Sequence, residues 1–368
     1  MDNKKIRAIG TVALVLLWAA LTAFLWFSPA KEMSESERRP LAQAPELSVD
    51  TLLSGSFMKD FESYTLDQFP QRDTFRQVKS LFHYYGLQQW DNNDIYVTDG
   101  YAAKLEYPLN KDSVTYATGR FNRLYEKYLK DTGSKVYLTV APDKGYYLAE
   151  EKGYLAMDYA AMFQQLQAQM PWAQYVDITD CLSYEDYYRT DTHWRQEELL
   201  SAAGKLCQAL GVTAPKAEDF TKTALERPFY GVYYGQAALP MAAETMYIME
   251  SELLSSCKVY DYESGQYASV YDMTKLGSRD LYDVFLSGSR SLLTIENPNA
   301  ATDRELIVVR DSFGSSMVPL LVQDYAKVTL VDIRYVNLEI LDKFLAFNGQ
   351  DVLFLYSTLV LNNSNTIK

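Results

Sequence analysis

Apolar and polar positions change rhythm several times along this chain. From Ala8 to Ala30 no residue is charged, and Val12, Leu14, Leu16, Leu17, Trp18, Leu21, Phe24, Leu25, Trp26 and Phe27 make the stretch strongly apolar. A run of roughly 20 such residues matches the hydrocarbon thickness of a bilayer and predicts a transmembrane helix. Residues 31–50, KEMSESERRPLAQAPELSVD, are polar and proline-containing and read as a juxtamembrane linker. Leu52, Phe57, Phe61 and Tyr64 then recur at helical spacing up to DQFPQRD (67–73), and a second amphipathic run follows from Phe75 to Leu87. NDIYVTDGYAAKLEY (93–107) alternates around Asp99-Gly100, the signature of a two-residue hairpin.

From about residue 113 helical runs alternate with short apolar strands. A helix over 114–131 leads to KVYLTVAP (135–142), a helix over 158–169 to YVDIT (175–179), and another helix spans 195–210. After a less regular, tyrosine-rich stretch (220–300) come ELIVVRDS (305–312), a helix over 315–325, KVTLVDIR (327–334), a helix over 337–347 and DVLFLYS (351–357). Apolar strands separated by helices predict an α/β fold, a doubly wound parallel sheet with helices on both faces. Function in such sheets gathers at the carboxyl ends of the strands. Three loops fall there: Pro142-Asp143-Lys144, the segment around Asp191 and His193, and Arg310-Asp311-Ser312-Phe313-Gly314.

Charge refines the organisation. Lys4, Lys5 and Arg7 before the apolar run predict a cytoplasmic N-terminus, with everything after Pro29 outside. A cleaved signal peptide competes with this reading. Its apolar region would be shorter, and Ala42-Gln43-Ala44 lies beyond Arg38 and Arg39. The expected plan is a cytoplasmic stub and anchor over 1–30, a linker over 31–50 and an extracytoplasmic domain over 51–368. Asp and Glu outnumber Lys and Arg 48 to 35, for a net charge of −13, which argues against nucleic acid as a partner. Cys181, Cys207 and Cys257 leave at least one thiol unpaired and show no metal-ligand spacing, so neither metal nor cofactor is expected.

Only two histidines occur. His83 sits in LFHYYG on an apolar helix face and reads as packing. His193 sits in YRTDTHWRQE (188–197), two residues after Asp191. Alone, Asp191-x-His193 reads as a helix-entry turn, and Ser312, between a strand and Gly314, as a helix cap. Together they supply a nucleophile, a base to take its proton and an acid to orient that base. The backbone N–H groups after Ser312 and the following helix N-terminus are the expected oxyanion donors. Trp194 would shield the pair from water. Lys144, Trp194 and Arg310 are the candidate substrate-binding residues.

These segments resemble the DHHW family and the neighbouring alginate O-acetyltransferase group of SGNH-hydrolase-like proteins. The resemblance runs through SESERRPLAQAPELS (34–48), GSFMKDFESYTLDQFPQRD (55–73), TVAPDKGYY (139–147), TDTHW (190–194), RDSFGSSMVPLL (310–321) and VDIRY (331–335). It implies a triad of Asp191, His193 and Ser312. It also implies transfer of an acetyl group to an extracellular polysaccharide, supplied by a membrane-bound O-acyltransferase. Two departures stand out: Thr192 replaces the first histidine of the DHHW signature, and Arg310 stands where many SGNH proteins carry glycine. A carbohydrate acetyl esterase, or a non-catalytic envelope protein that binds polysaccharide or scaffolds a synthesis complex, are the alternatives.

Overall fold

Residues 3–27 and 29–368 are described by a computed structural model. Residues 1, 2 and 28 of the expected stub and anchor, and the side chains of Asn3, Leu25 and Trp26, lie outside the described residues. The chain forms two units, one reaching to Asn92 and including Tyr234–Pro240, the other made of Asn93–Tyr233 and Met241–Lys368.

The first unit begins with α1 (Asn3–Phe27), whose segment Lys4–Phe24 is long and apolar enough to cross a membrane and is not buried by the rest of the chain. The expected linker is ordered. Met33–Ser34 pairs antiparallel with Arg39–Pro40, and α2 (Val49–Leu53), α3 (Ser56–Asp67) and α4 (Arg72–Leu81) follow. The polar composition that suggests a linker serves an ionic knot. Glu37 meets Arg39 at 3.2 Å, Arg72 at 2.5 Å and Arg76 at 3.1 Å, and Asp67 meets Arg39 at 2.7 Å. The hydrogen bond from Arg39 is the main reason the Asp67 carboxyl is held down, to about 2.

The second unit opens with the hairpin β1 (Ile95–Thr98) and β2 (Tyr101–Lys104). Asp99 and Gly100 both take positive φ, as a two-residue turn matched to strand twist requires. Then come α5 (Lys111–Leu124), β3 (Val136–Ala141), α6 (Lys144–Leu148), α7 (Tyr159–Gln169), β4 (Gln174–Tyr175) and α8 (Leu200–Leu210). The remainder supplies β5 (Lys258–Asp261), β6 (Gln266–Ala268), β7 (Leu292–Glu296), β8 (Arg304–Arg310), α9 (Gly314–Met317), β9 (Tyr325–Val331), β10 (Asp351–Ser357) and α10 (Thr358–Asn362).

Eight strands form one sheet in the order β6-β5-β7-β9-β8-β10-β3-β4. From β9 to β4 every pairing is parallel, as the apolar strands predict. The middle of each central strand is largely apolar because both faces are covered. Leu306 and Val308 of β8 enter one core with Leu206 and Leu210 of α8. Ile307 and Val309 enter the other, with Phe121 of α5 and Leu166 of α7.

The structure departs from the expected elements in three places. The tyrosine-rich stretch contributes β5, β6 and β7, an antiparallel extension that sequence alternation did not announce. The helix expected over 315–325 is only four residues long before it tightens into a 3₁₀ turn at Val318–Leu321, where Pro319 withdraws a backbone donor. The helix expected over 337–347 is a 3₁₀ segment, Leu338–Lys343.

Candidate active site

At the carboxyl end of β8 the chain turns sharply at Asp311 and Ser312. Buried Asp311 fixes that turn: one carboxylate oxygen accepts the Phe313 N–H at 3.0 Å, the other the Ser357 N–H at the end of β10 at 2.7 Å. Gly314 lets the chain double back, since a Cβ there would stand 2.9 Å from the Cβ of Arg310. Ser312 is left half-buried at the edge of the sheet. The N–H groups expected as oxyanion donors are used within the turn instead. Those of Phe313 and Gly314 go to Asp311, and that of Ser315 goes to the Ser312 carbonyl.

His193 arrives from a different segment. Tyr187 and Trp194 pair across a narrow loop, closed by the Tyr188 N–H donating to the His193 carbonyl at 3.1 Å. Nε2 of His193 stands 2.8 Å from the Ser312 hydroxyl, and Nδ1 stands 2.6 Å from Oδ2 of Asp191. With a carboxylate at Nδ1, that nitrogen carries the proton and Nε2 is free to accept from the serine. The Tyr282 ring lies flat against the imidazole, centroids 3.9 Å apart and planes 9° apart. Tyr282 is itself fixed by a 2.7 Å bond to the Ser316 hydroxyl. Burial pushes its phenol well above the ordinary range, so it remains neutral.

Asp191 is fully buried. Its Oδ1 accepts the Val232 N–H at 2.7 Å. Glu244 clamps the same loop, accepting the Arg189 N–H at 2.7 Å and both the N–H and hydroxyl of Thr190 at 2.9 Å. Gly231 passes so close that an added Cβ would fall 2.2 Å from the Cβ of Asp191. Sequence reading missed Tyr282, Glu244, Gly231 and Val232. They lie 38 to 89 residues from the histidine in an irregular stretch, and only the fold brings them to it.

Lys144, Trp194 and Arg310, expected to touch substrate, are all buried and held within the chain. Lys144 donates to the Tyr188 carbonyl at 2.7 Å, so it braces the loop that carries Asp191. Burial lowers its ammonium to about 7, against opposing pulls from Asp191, Glu244 and Asp143. The indole N–H of Trp194 donates to the Ser316 hydroxyl at 2.8 Å, which places the ring beneath the site, edge-on to Phe313, rather than over it. Arg310 reaches the Ser315 hydroxyl and the Asp311 carbonyl, while its Nε and Nη2 have no partner among the described residues. Burial lowers its affinity for a proton. Asp143, on the expected loop that follows β3, binds Thr358 and Tyr159 and so joins β3 to the end of β10.

A hydroxyl, an imidazole and a carboxylate thus lie in hydrogen-bonded series, and only the hydroxyl end is open. Such a series can pass the hydroxyl proton to the ring while the carboxylate steadies the resulting imidazolium. The surrounding sequence carries a family pattern. Residues 175–331 match the model of the DHHW protein family. All three members of the series lie inside that DHHW segment.

The fold is shared with solved structures. One is a DHHW family protein from Eubacterium siraeum, 22% identical, covering 75% of this chain and 95% of that one with a TM-score of 0.62. Another is PatB1 of Bacillus cereus with a sulfonyl adduct, 17% identical, covering 73% and 95% with a TM-score of 0.57. No curated protein matches the chain. The expected family resemblance and the α/β architecture around a largely parallel sheet are both borne out.

Proposed function

We propose that the chain is a membrane-anchored, extracytoplasmic serine O-acetyltransferase. Ser312 is the nucleophile, His193 the general base and acid, and Asp191 the residue that orients and stabilises the imidazole. His193 takes the Ser312 proton as the hydroxyl attacks the acetyl carbonyl. The leaving group departs with that proton, leaving an acetyl ester on Ser312. A sugar hydroxyl then gives its proton to His193 as it attacks the ester, and the proton returns to Ser312.

The observation that carries the reading is the 2.8 Å contact between Nε2 of His193 and the Ser312 hydroxyl, made across 119 residues of sequence. Helix capping accounts for neither that contact nor the 2.6 Å contact behind it. A sulfonyl adduct in PatB1, a protein of the same fold, fits a scaffold that presents a reactive nucleophile. Acetyl as the acyl group, polysaccharide as acceptor and a membrane-bound O-acyltransferase as donor rest on the motif resemblance to the alginate O-acetyltransferase group. Outward placement of the domain rests on α1 and the bases at its N-terminal end.

The test supplies the full-length protein with an acetyl ester donor and candidate glycans, comparing wild type with Ser312→Ala. Acetylated glycan formed only by wild type is the expected result. Equal yields from both would remove the serine from the mechanism, and free acetate with no acetylated glycan under any acceptor would make the protein an esterase.

A further inference from the structure

Helix α4 is inside out. Arg72, Arg76 and Ser80 share one of its faces, and that polar face is the one turned inward. Arg72 and Arg76 bind Glu37, Arg76 also donates to the Gly235 carbonyl at 2.6 Å, and the fully buried Ser80 donates to Ala237 at 2.6 Å. The opposite face runs Phe75, Val78, Phe82, Tyr85, at helical spacing through the π-helical turn Phe82–Gly86 that extends the helix. These four side chains are 54%, 58%, 58% and 77% exposed. A surface helix normally buries its apolar stripe and wets its polar one. Here the polar stripe is satisfied within the unit and the apolar one is offered outward, with Leu53, Met58 and Leu66 exposed on α2 and α3 of the same unit.

We propose that this stripe lies in the surface of the bilayer crossed by α1, with phospholipid as its occupant. The proposal rests on the reading of α1 as a retained membrane anchor. What selects lipid is the tether. Lys31 follows the end of α1 by four residues, a reach of at most about 14 Å, and it is pinned in both directions to Gln68. The Lys31 N–H donates to Oε1 of Gln68, and Nε2 of Gln68 donates back to the Lys31 carbonyl, each at 2.9 Å. Gln68 caps α3 four residues before α4 starts. The outward stripe is therefore held beside the point where the chain leaves the membrane. Its composition suits that position. Phe75, Phe82 and Tyr85 are aromatic, and aromatic rings favour the headgroup boundary. Lys79, between the two faces, can extend its charge toward headgroups while its stem stays apolar.

The full-length protein is reconstituted in phosphatidylcholine–phosphatidylglycerol nanodiscs with p-benzoyl-phenylalanine in place of Phe82. Parallel samples carry it at Phe75, at Leu17 within α1 and at Glu218, exposed in the other unit. After irradiation, mass spectrometry reads the adducts. The expected result is a phospholipid adduct at positions 82, 75 and 17, in several-fold excess over position 218. Lipid at 17 with none at 82 or 75, or cross-links from 82 and 75 to a second copy of the chain, would overturn the proposal while leaving the anchor intact. No lipid at any position would remove the anchor reading and this proposal together.

Discussion

Lys144 is a fully buried amine whose ammonium bonds backbone carbonyls rather than a carboxylate, and its behaviour can be tested through stability. In the unfolded chain a lysine binds its proton up to about pH 10.4. In the folded protein burial lowers Lys144 to about 7. Between these values the unfolded state holds more protons than the folded one, so raising the pH stabilises the fold. That contribution starts near pH 7 and is complete above the unfolded value, and it amounts to a few kcal/mol at order of magnitude. Lys144→Met should flatten the corresponding rise in urea-unfolding free energy between pH 7 and 10. An unchanged slope would mean that Lys144 titrates normally. The same residue shows where reading single letters falls short. A lysine on a sheet-edge loop looks like a ligand for substrate until the fold shows its amine enclosed by Tyr101, Tyr233 and the Tyr188 carbonyl.

The loops are where the site is made rigid. The Asp191–His193 segment has no regular secondary structure, and its shape comes from Glu244, Gly231, Val232 and Tyr282. Gly231→Ala would force a methyl group against Asp191, and overpacking of this kind costs about 1–3 kcal/mol. The expected outcome is a measurable loss of thermal stability with a larger fall in kcat than in substrate affinity, because the displaced carboxylate leaves His193 unsteadied. Full activity in that variant would show that the loop tolerates movement and that Asp191 needs no fixed position. Periodicity made the elements legible wherever one pattern held. Examples are the hairpin at Asp99-Gly100 and the doubly buried strands β3, β8, β9 and β10. It failed where short strands pair antiparallel among tyrosines, as in β5 to β7, because half-polar strands of three to five residues carry little periodic signal. Ser312 was legible at the end of a buried strand, and Asp191 and His193 through an acid two residues before one of the two histidines in the chain. The four residues that clamp them were not, since a glycine, a valine backbone N–H, a glutamate and a tyrosine have no local signature of that role.

As a whole, the molecule has two parts with different demands. The unit carrying α1 turns charged side chains partly inward and exposes apolar surface, while the α/β unit covers both faces of its sheet and opens one polar edge. The proposed activity belongs to that edge, and it depends on whether Ser312 is a nucleophile in fact as well as in position. Methanesulfonyl fluoride, which sulfonylates activated serine hydroxyls, measures this directly. Peptide mass spectrometry of the treated full-length protein should find the adduct on Ser312, with labelling slowed by a factor on the order of 10³ in His193→Gln. Absence of the adduct from Ser312, or labelling at the same rate in wild type and His193→Gln, would contradict the account.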